Sequence, residues 1–304
     1  MRAKIILVII VILIFALSFL GQWLLIKNRQ NEKALLHPHE AEKIVSLSPS
    51  VTELLFDLGL ENRIVGVTDF CRYPPEALNI EKIGGYLDVN YEAIVSLKPD
   101  MVIMRREFQQ AKERLESLNI RTLIVNHDDI EGILDSYNIV GKACGAGQRA
   151  SARIAQIRQR MSKVSVQTEN LPLQKVLICI EREYGKGAIL GVIAVGKDGF
   201  YNEILRLAGG ESLFEATGLP FPPVSAESIV RANPDIIIEM VPDIEKRGLD
   251  RQTIIKDWNA LDSVEAVRNG KIFILTKDYF VIPGPRFVMI IEEMAKLIHP
   301  EVRW

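Results

Sequence analysis

The sequence is short of the residues on which most metal and redox chemistry depends. It has three cysteines, Cys71, Cys144 and Cys179, and four histidines in 304 residues. No cysteines stand at C-x-x-C spacing, so neither a zinc site nor a disulfide framework is signalled, although one pair remains open to an oxidising compartment. An excess of one charge is also missing. With 37 Lys and Arg against 39 Asp and Glu, and a pI near 6.2, there is no basic footprint for general nucleic-acid binding. Gly141, Gly145 and Gly147 do not match G-x-G-x-x-G after a strand, and G-x-x-x-x-G-K-[ST] is absent, which disfavours nucleotide binding. His127 stands among acids in Asn126-His-Asp-Asp129, yet no nucleophile motif such as G-x-S-x-G accompanies it, and the run reads as a helix cap.

Long apolar runs are limited to one, at 5–26, preceded by Arg2 and Lys4 and interrupted only by Ser18, Gly21 and Gln22. About twenty apolar residues span a bilayer, so 1–27 reads as an N-terminal membrane anchor, with a signal segment cleaved near Ala16-Leu-Ser18 as the alternative. Lys27 and Arg29 follow the run, so the positive-inside rule does not orient it. The polar stretch 28–42 reads as a linker. Its His37 and His39 read as solvated, because a metal site needs further ligands in fixed geometry.

The remainder is organised around a duplication. Glu92-Ala-Ile-Val95 is followed by Ser-Leu-Lys-Pro99-Asp100 and an apolar run; Glu227-Ser-Ile-Val230 is followed by Arg-Ala-Asn-Pro234-Asp235 and another. The Glu-to-Pro spacing is the same, and an aromatic, Tyr86 or Phe221, stands six residues before each Glu. Each copy reads as an aromatic-bearing loop, a short helix with the acid in its first turn, a Pro-Asp turn and a buried strand. Two lobes built alike are expected.

With Val45-Ser-Leu-Ser-Pro-Ser-Val-Thr-Glu53, Asp69-Phe-Cys-Arg-Tyr-Pro-Pro75, Leu207-Ala-Gly-Gly210, Asp278-Tyr-Phe280 and Gly284-Pro-Arg286, the chain from Lys43 onward resembles a periplasmic substrate-binding protein of the helical-backbone group, which serves ABC importers of cobalamin, ferric siderophores and haem. The resemblance implies an α/β fold of two lobes with mostly parallel sheets, 43–146 and 169–304, joined by one long helix at 147–168, where the pattern is amphipathic. No special purpose is read into that helix's charged face. A stiff connection implies small opening and closing motions. The resemblance also puts the folded part outside the cytoplasm. Gln22 after Phe19-Leu-Gly21 excludes the lipid that many relatives carry on a cysteine, so any tether is the helix itself.

By the same resemblance, the 68–75 loop borders a ligand cleft, the Phe221-Pro-Pro223 loop faces it from the second lobe, and the 276–285 loop contacts ligand. Ligand-binding candidates are therefore Tyr73, Tyr86, Arg105, Phe221, Asp278, Tyr279 and Arg286, with Phe70 and Arg72 more loosely. Phe280 has core as its alternative reading, and Arg105 and Arg106 read equally as a solvated helix turn. The aromatics suit a planar macrocycle or aromatic chelate, and the arginines suit an anionic ligand. Glu92 and Glu227 are candidates for docking to a pseudo-twofold permease, against plain helix capping. The expected function is capture of an iron complex or corrinoid and delivery to an ABC permease dimer with its ATPase subunits, by a monomer without catalysis or cofactor. The alternatives are a metal-cofactor enzyme of related two-lobed fold, for which Cys71 is the only cysteine near the cleft, and an anchored interaction protein without small ligand.

Overall fold

Residues 40–86 and 88–304 are described by a computed structural model. The anchor-or-signal segment and nearly all of the linker lie outside the described residues. Among those described, no helix is long and apolar enough to cross a membrane.

The first sheet contains β1 (Ile44–Ser46), β2 (Ile64–Val67), β3 (Met101–Arg105) and β4 (Thr122–Val125), all parallel, in the order β2-β1-β3-β4. Its strands are nearly unbroken apolar runs because helices cover both faces of such sheets. These helices are α1 (Pro49–Asp57), α2 (Tyr91–Leu97), α3 (Gln109–Ser117) and α4 (Ile130–Ala143). Ser48 and Ser50 compete on paper to start α1. Ser48 does so: its backbone is extended, its Oγ accepts from the Val51 N–H at 3.3 Å, and Pro49 fills the first helical position. Asp129 caps α4 by accepting from the Gly132 N–H at 2.6 Å.

The chain then runs through α5 (Gly147–Thr168) into a second sheet. This contains β5 (Gln174–Glu181), β6 (Val192–Ala194), β7 (Gly210–Ser212), β8 (Pro223–Val224), β9 (Ile236–Met240) and β10 (Ile272–Leu275). The order is β10-β9-β5-β6-β8, with β7 also on β5; β6 alone runs antiparallel to its neighbours. Helices α6 (Gly199–Leu207), α7 (Ala226–Ala232), α8 (Arg251–Trp258), α9 (Glu265–Arg268) and α10 (Phe287–Ile298) complete it. Each sheet has its own core, one around Val45, Val102 and Phe108, the other around Leu177, Ile237 and Trp258.

The duplication is physical as well as textual. Asn90 and Ser225 cap α2 and α7 through the third helical N–H, and Lys98 and Asn233 end them in the left-handed region at φ 49° and 46°. The acids of the Pro-Asp turns then start the neighbouring strands: Asp100 accepts from the Lys43 N–H and Asp235 from the Lys175 N–H, both at 2.8 Å.

The charged face of α5 has a use that its pattern did not suggest. The helix carries Arg149, Arg153, Arg158, Arg160 and Lys163 and no acid. Arg149 donates to the Gly59 carbonyl, Arg153 pairs with Asp57 at 2.6 Å, and Arg158 pairs with Glu131 at 2.7 Å, all on the first sheet's helices or turns. Arg160 forms a two-pronged pair with Glu292 on α10, at 2.7 and 2.8 Å. The connector is thus held to helices of both halves.

Candidate functional site at the facing strand ends

In open parallel sheets, ligands bind beyond the carboxyl ends of the strands. Here those ends face one another. Ser50 and Glu53, after β1, meet the loop after β10: Arg286 lies on Glu53, and a Cβ at Gly284 would stand 2.7 Å from that of Ser50. Arg72, after β2, reaches Asp243, after β9, at 3.0 Å. His127, after β4, faces the Pro283 backbone and places Nδ1 2.9 Å from Ser50 Oγ. Gly199 abuts the Asp128 carbonyl so closely that a Cβ would come within 2.9 Å of it. The result is a seam between the two halves.

The candidate residues fall into three groups along it. Tyr86 and Phe221 belong to the first. Tyr86 is 50% exposed and stands edge-on to Phe108, with ring centroids 4.8 Å apart. Gly85 separates it from Phe70, also exposed, and leaves no room for a Cβ beside Asp88. Partial burial and the neighbouring Glu107 raise the Tyr86 phenol pKa. Phe221 is 44% exposed and edge-on to Tyr201, whose hydroxyl donates to the Phe280 carbonyl at 2.8 Å. Phe108 and Tyr201 back these two rings and sit on segments that meet at Asp128 and Gly199.

Arg105 lies near Tyr86, whose phenol feels its charge. Its Nε is 3.0 Å from Glu107 and its Nη2 3.8 Å from Asp128, which also pairs with Arg106 at 3.0 Å. The buried Nε–H is not aimed at Glu107, so that contact is electrostatic, without a formed hydrogen bond. Arg105 is mostly covered, whereas Arg106 is exposed.

Tyr73, Asp278, Tyr279 and Arg286 form the third group. Arg286 donates to both Glu53 oxygens, at 2.6 and 2.9 Å, and to both Asp278 oxygens, at 2.9 and 3.0 Å. Its guanidinium lies 4.1 Å from the Tyr73 ring centre and 5.2 Å from that of Tyr279. Four of its five N–H groups are engaged within the protein. Tyr279 is buried, and its hydroxyl is bonded to Glu293; Phe280 is core. Tyr73 and Arg286 also line a cavity of about 560 Å³ against α5, whose walls include the paired Arg153 and Arg160. Phe70, Tyr86 and Phe221 do not border it.

Sequence reasoning missed Glu53, His127 and Arg182 as parts of this region. Burial pushes the Glu53 carboxyl up to about 7, although Arg286 opposes the shift, and burial with Arg105 nearby pushes His127 down to about 3. Arg182 begins the loop after β5 and is buried. It pairs with Glu239 at 2.6 Å and Asp257 at 2.9 Å, while Trp258 donates to the same Glu239 oxygen. Asp257 also accepts from the Gly185 and Gly187 N–H groups and so fixes that loop. Glu239 inside the otherwise apolar β9 was the available signal, because a buried charge needs a partner.

Glu92 and Glu227 are exposed in the first turns of α2 and α7. Val95 and Val230, three residues on and therefore on the same helix faces, are also exposed. Among the described residues, no three His, Cys, Asp or Glu side chains are grouped to hold a metal.

Two facing α/β halves, a helical connector and strand ends that converge on one seam define a bilobal binding-protein architecture. Residues 44–279 match the periplasmic binding protein family model, and the chain belongs to that family. It is 27% identical over 274 residues to YvrC of Bacillus subtilis, described as an uncharacterised ABC transporter substrate-binding lipoprotein, covering 86% of this chain and 81% of that one. It is 24% identical over 258 residues to the vitamin B12-binding protein of Vibrio vulnificus, covering 84% and 89%. Among solved structures, the periplasmic haem-binding protein HutB of Vibrio cholerae superposes with a TM-score of 0.74 at 22% identity, covering 85% of this chain and 99% of that one.

Proposed function

We propose that this protein is the extracytoplasmic substrate-binding component of an ABC importer, capturing an iron complex or a corrinoid between its halves and handing it to a permease. The observation that carries the reading is the convergence of both sheets' carboxyl ends on a seam bearing Phe70, Tyr73, Tyr86 and Phe221, all substantially exposed. Half-exposed aromatic rings cost solvation unless a partner covers them, and a large flat ligand is such a partner. The relatives named above support the substrate range. The halves we assign are 43–146 and 169–304, with 147–168 as connector. Capture involves no chemical step.

In this reading Glu92 and Glu227 are the docking points on a symmetric permease dimer coupled to its ATPase subunits. Their support is the matched helix geometry, with an exposed valine beside each acid. The chain works as a monomer on the outer face of the cytoplasmic membrane, tethered by its N-terminal apolar segment or released after cleavage. Thermal melting with cyanocobalamin, haemin and ferric siderophores is the test, since a ligand of the native state raises the midpoint. No shift with any of them argues for an anchored interaction protein instead. Affinity unchanged by both Tyr86→Ala and Phe221→Ala would show the ligand to lie elsewhere.

A further inference from the structure

Resting on that reading, we infer that Arg72, Asp243 and Lys246 form an exchangeable strap across one end of the seam, which parts for ligand passage while Lys246 keeps hold of Asp243. Each oxygen of the Asp243 carboxylate has its own cation. Oδ2 lies 3.0 Å from Nη1 of Arg72, in the loop after β2 of the first half. Oδ1 lies 3.1 Å from Nζ of Lys246, three residues further along Asp243's own loop after β9. Phe70 and Tyr73, both exposed, stand on either side of Arg72 in sequence, so the strap is carried by the segment that offers two of the seam's open rings.

The seam's other contacts are of a different kind. Gly284 against Ser50 and Gly199 against the Asp128 carbonyl are too close to admit a Cβ, and Glu203 accepts from the Ile130 N–H at 2.9 Å. Arg286 and Glu53 keep 10% and 3% of their side-chain surfaces in solvent, so parting them strands two charges away from water. Arg72 and Asp243 keep 52% and 49%, so water replaces each partner as they separate. Asp243 then retains Lys246, and no acid is left unpaired. Lys246 first and Arg72 second hold the Asp243 carboxyl below the usual carboxylate range, so the cation that stays is the stronger partner.

Both ends are mounted so that the strap closes again on the same geometry. Arg72 rises from a fixed base, because Cys71 is fully buried with Sγ 3.1 and 3.2 Å from the Thr52 and Thr68 hydroxyls. Asp243 sits in the left-handed region at φ 56°, which aspartate adopts more readily than most residues, and its carbonyl accepts from the Arg247 N–H at 3.2 Å. Ile244 and Leu249 pack against the cluster of Val241, Ile254 and Ile274, while Glu245, Lys246, Arg247 and Gly248 stand exposed. What moves is the pairing of side chains, with a small rotation of one half on the other about the buried contacts.

The test is the distance between spin labels on Leu78→Cys and Ile255→Cys, exposed positions on the two halves, measured by pulsed double electron resonance without ligand. The three native thiols are buried and stay unlabelled. The labelled parent should show a major short distance and a minor long one. Arg72→Gln should raise the long-distance population about two- to fivefold, the range that an exposed ion pair supplies. Lys246→Gln should lower it by a similar factor, because Asp243 is then left to Arg72 alone and no second cation repels the guanidinium. At about 1 M salt the parent should approach Arg72→Gln, since exposed pairs are screened. An unchanged population in Arg72→Gln, or one in Lys246→Gln that is not lower than the parent's, overturns the strap. Either result leaves the transport reading standing, because no ligand enters the measurement, whereas a melting panel with no hit removes that reading without touching these populations.

Discussion

Arg286 and Glu53, 233 residues apart, form a two-pronged ion pair at 2.6 and 2.9 Å that joins the first helix of one half to the last helix of the other. Both residues are buried, and Asp278 and the Tyr73 ring take up much of the rest of the guanidinium. Removing one partner strands the other. At pH 8, above the Glu53 pKa of about 7, Arg286→Ala should cost about 3 to 5 kcal/mol in urea denaturation, and Arg286→Lys should recover only part of it, because an ammonium cannot serve both carboxylates as a fork does. Full recovery by lysine would show that charge alone matters there.

Stability between pH 4.5 and 6.5 should be nearly flat because two seam residues oppose each other. Glu53 is raised from 4.5 to about 7, so the native state holds the extra proton and stability falls as pH rises through that window. His127 is lowered from 6.5 to about 3, so the unfolded state holds the extra proton and stability rises with pH over the same range. Glu53→Gln should therefore expose a rising slope, and His127→Asn a falling one, each at most about 1.4 kcal/mol per pH unit. Parallel slopes in the two variants would refute the assignment.

Glu92→Gln with Glu227→Gln should leave folding and ligand affinity intact, since both acids are exposed and glutamine keeps most of the helix propensity. Transport in cells and binding to the cognate permease should fall. Truncating a desolvated charge pair costs about 2 to 5 kcal/mol, against about 0.2 to 1 kcal/mol at an exposed rim. Normal transport at parent expression level would reduce these acids to helix capping.

Asp257→Asn should loosen the loop after β5. It weakens the hold on Arg182 and on the Gly185 and Gly187 amides at once, so hydrogen exchange should accelerate at those amides while β9 stays protected. Uniform acceleration across the second sheet would mean that the network supports the core as a whole.

Arg160→Ala should lower stability by only about 1 kcal/mol, because its pair with Glu292 is part-exposed. It should, however, increase small-angle scattering dimensions if the connector's tie to α10 limits opening. Unchanged dimensions would assign that restraint to the seam itself.

Local pattern was sufficient for much of this protein. The repeated Glu/Pro-Asp blocks, apolar strand runs and amphipathic 147–168 stretch depend on periodicity and capping, which act over a few residues and are legible in order along the chain. The exposed aromatics Tyr86 and Phe221 were legible for the same reason, by position within the repeat. What required tertiary structure was the pairing of charges. Arg286 with Glu53, Arg72 with Asp243 and Arg182 with Glu239 join residues distant in sequence, and a sequence shows an arginine without showing whether its fork is already filled. Burial had the same character: Tyr279 and Phe280 are adjacent to the seam in sequence but turned into the core, while His127 became a neutral buried contact. Charge and exposure are properties of the packed neighbourhood, and only folding brings those neighbours together.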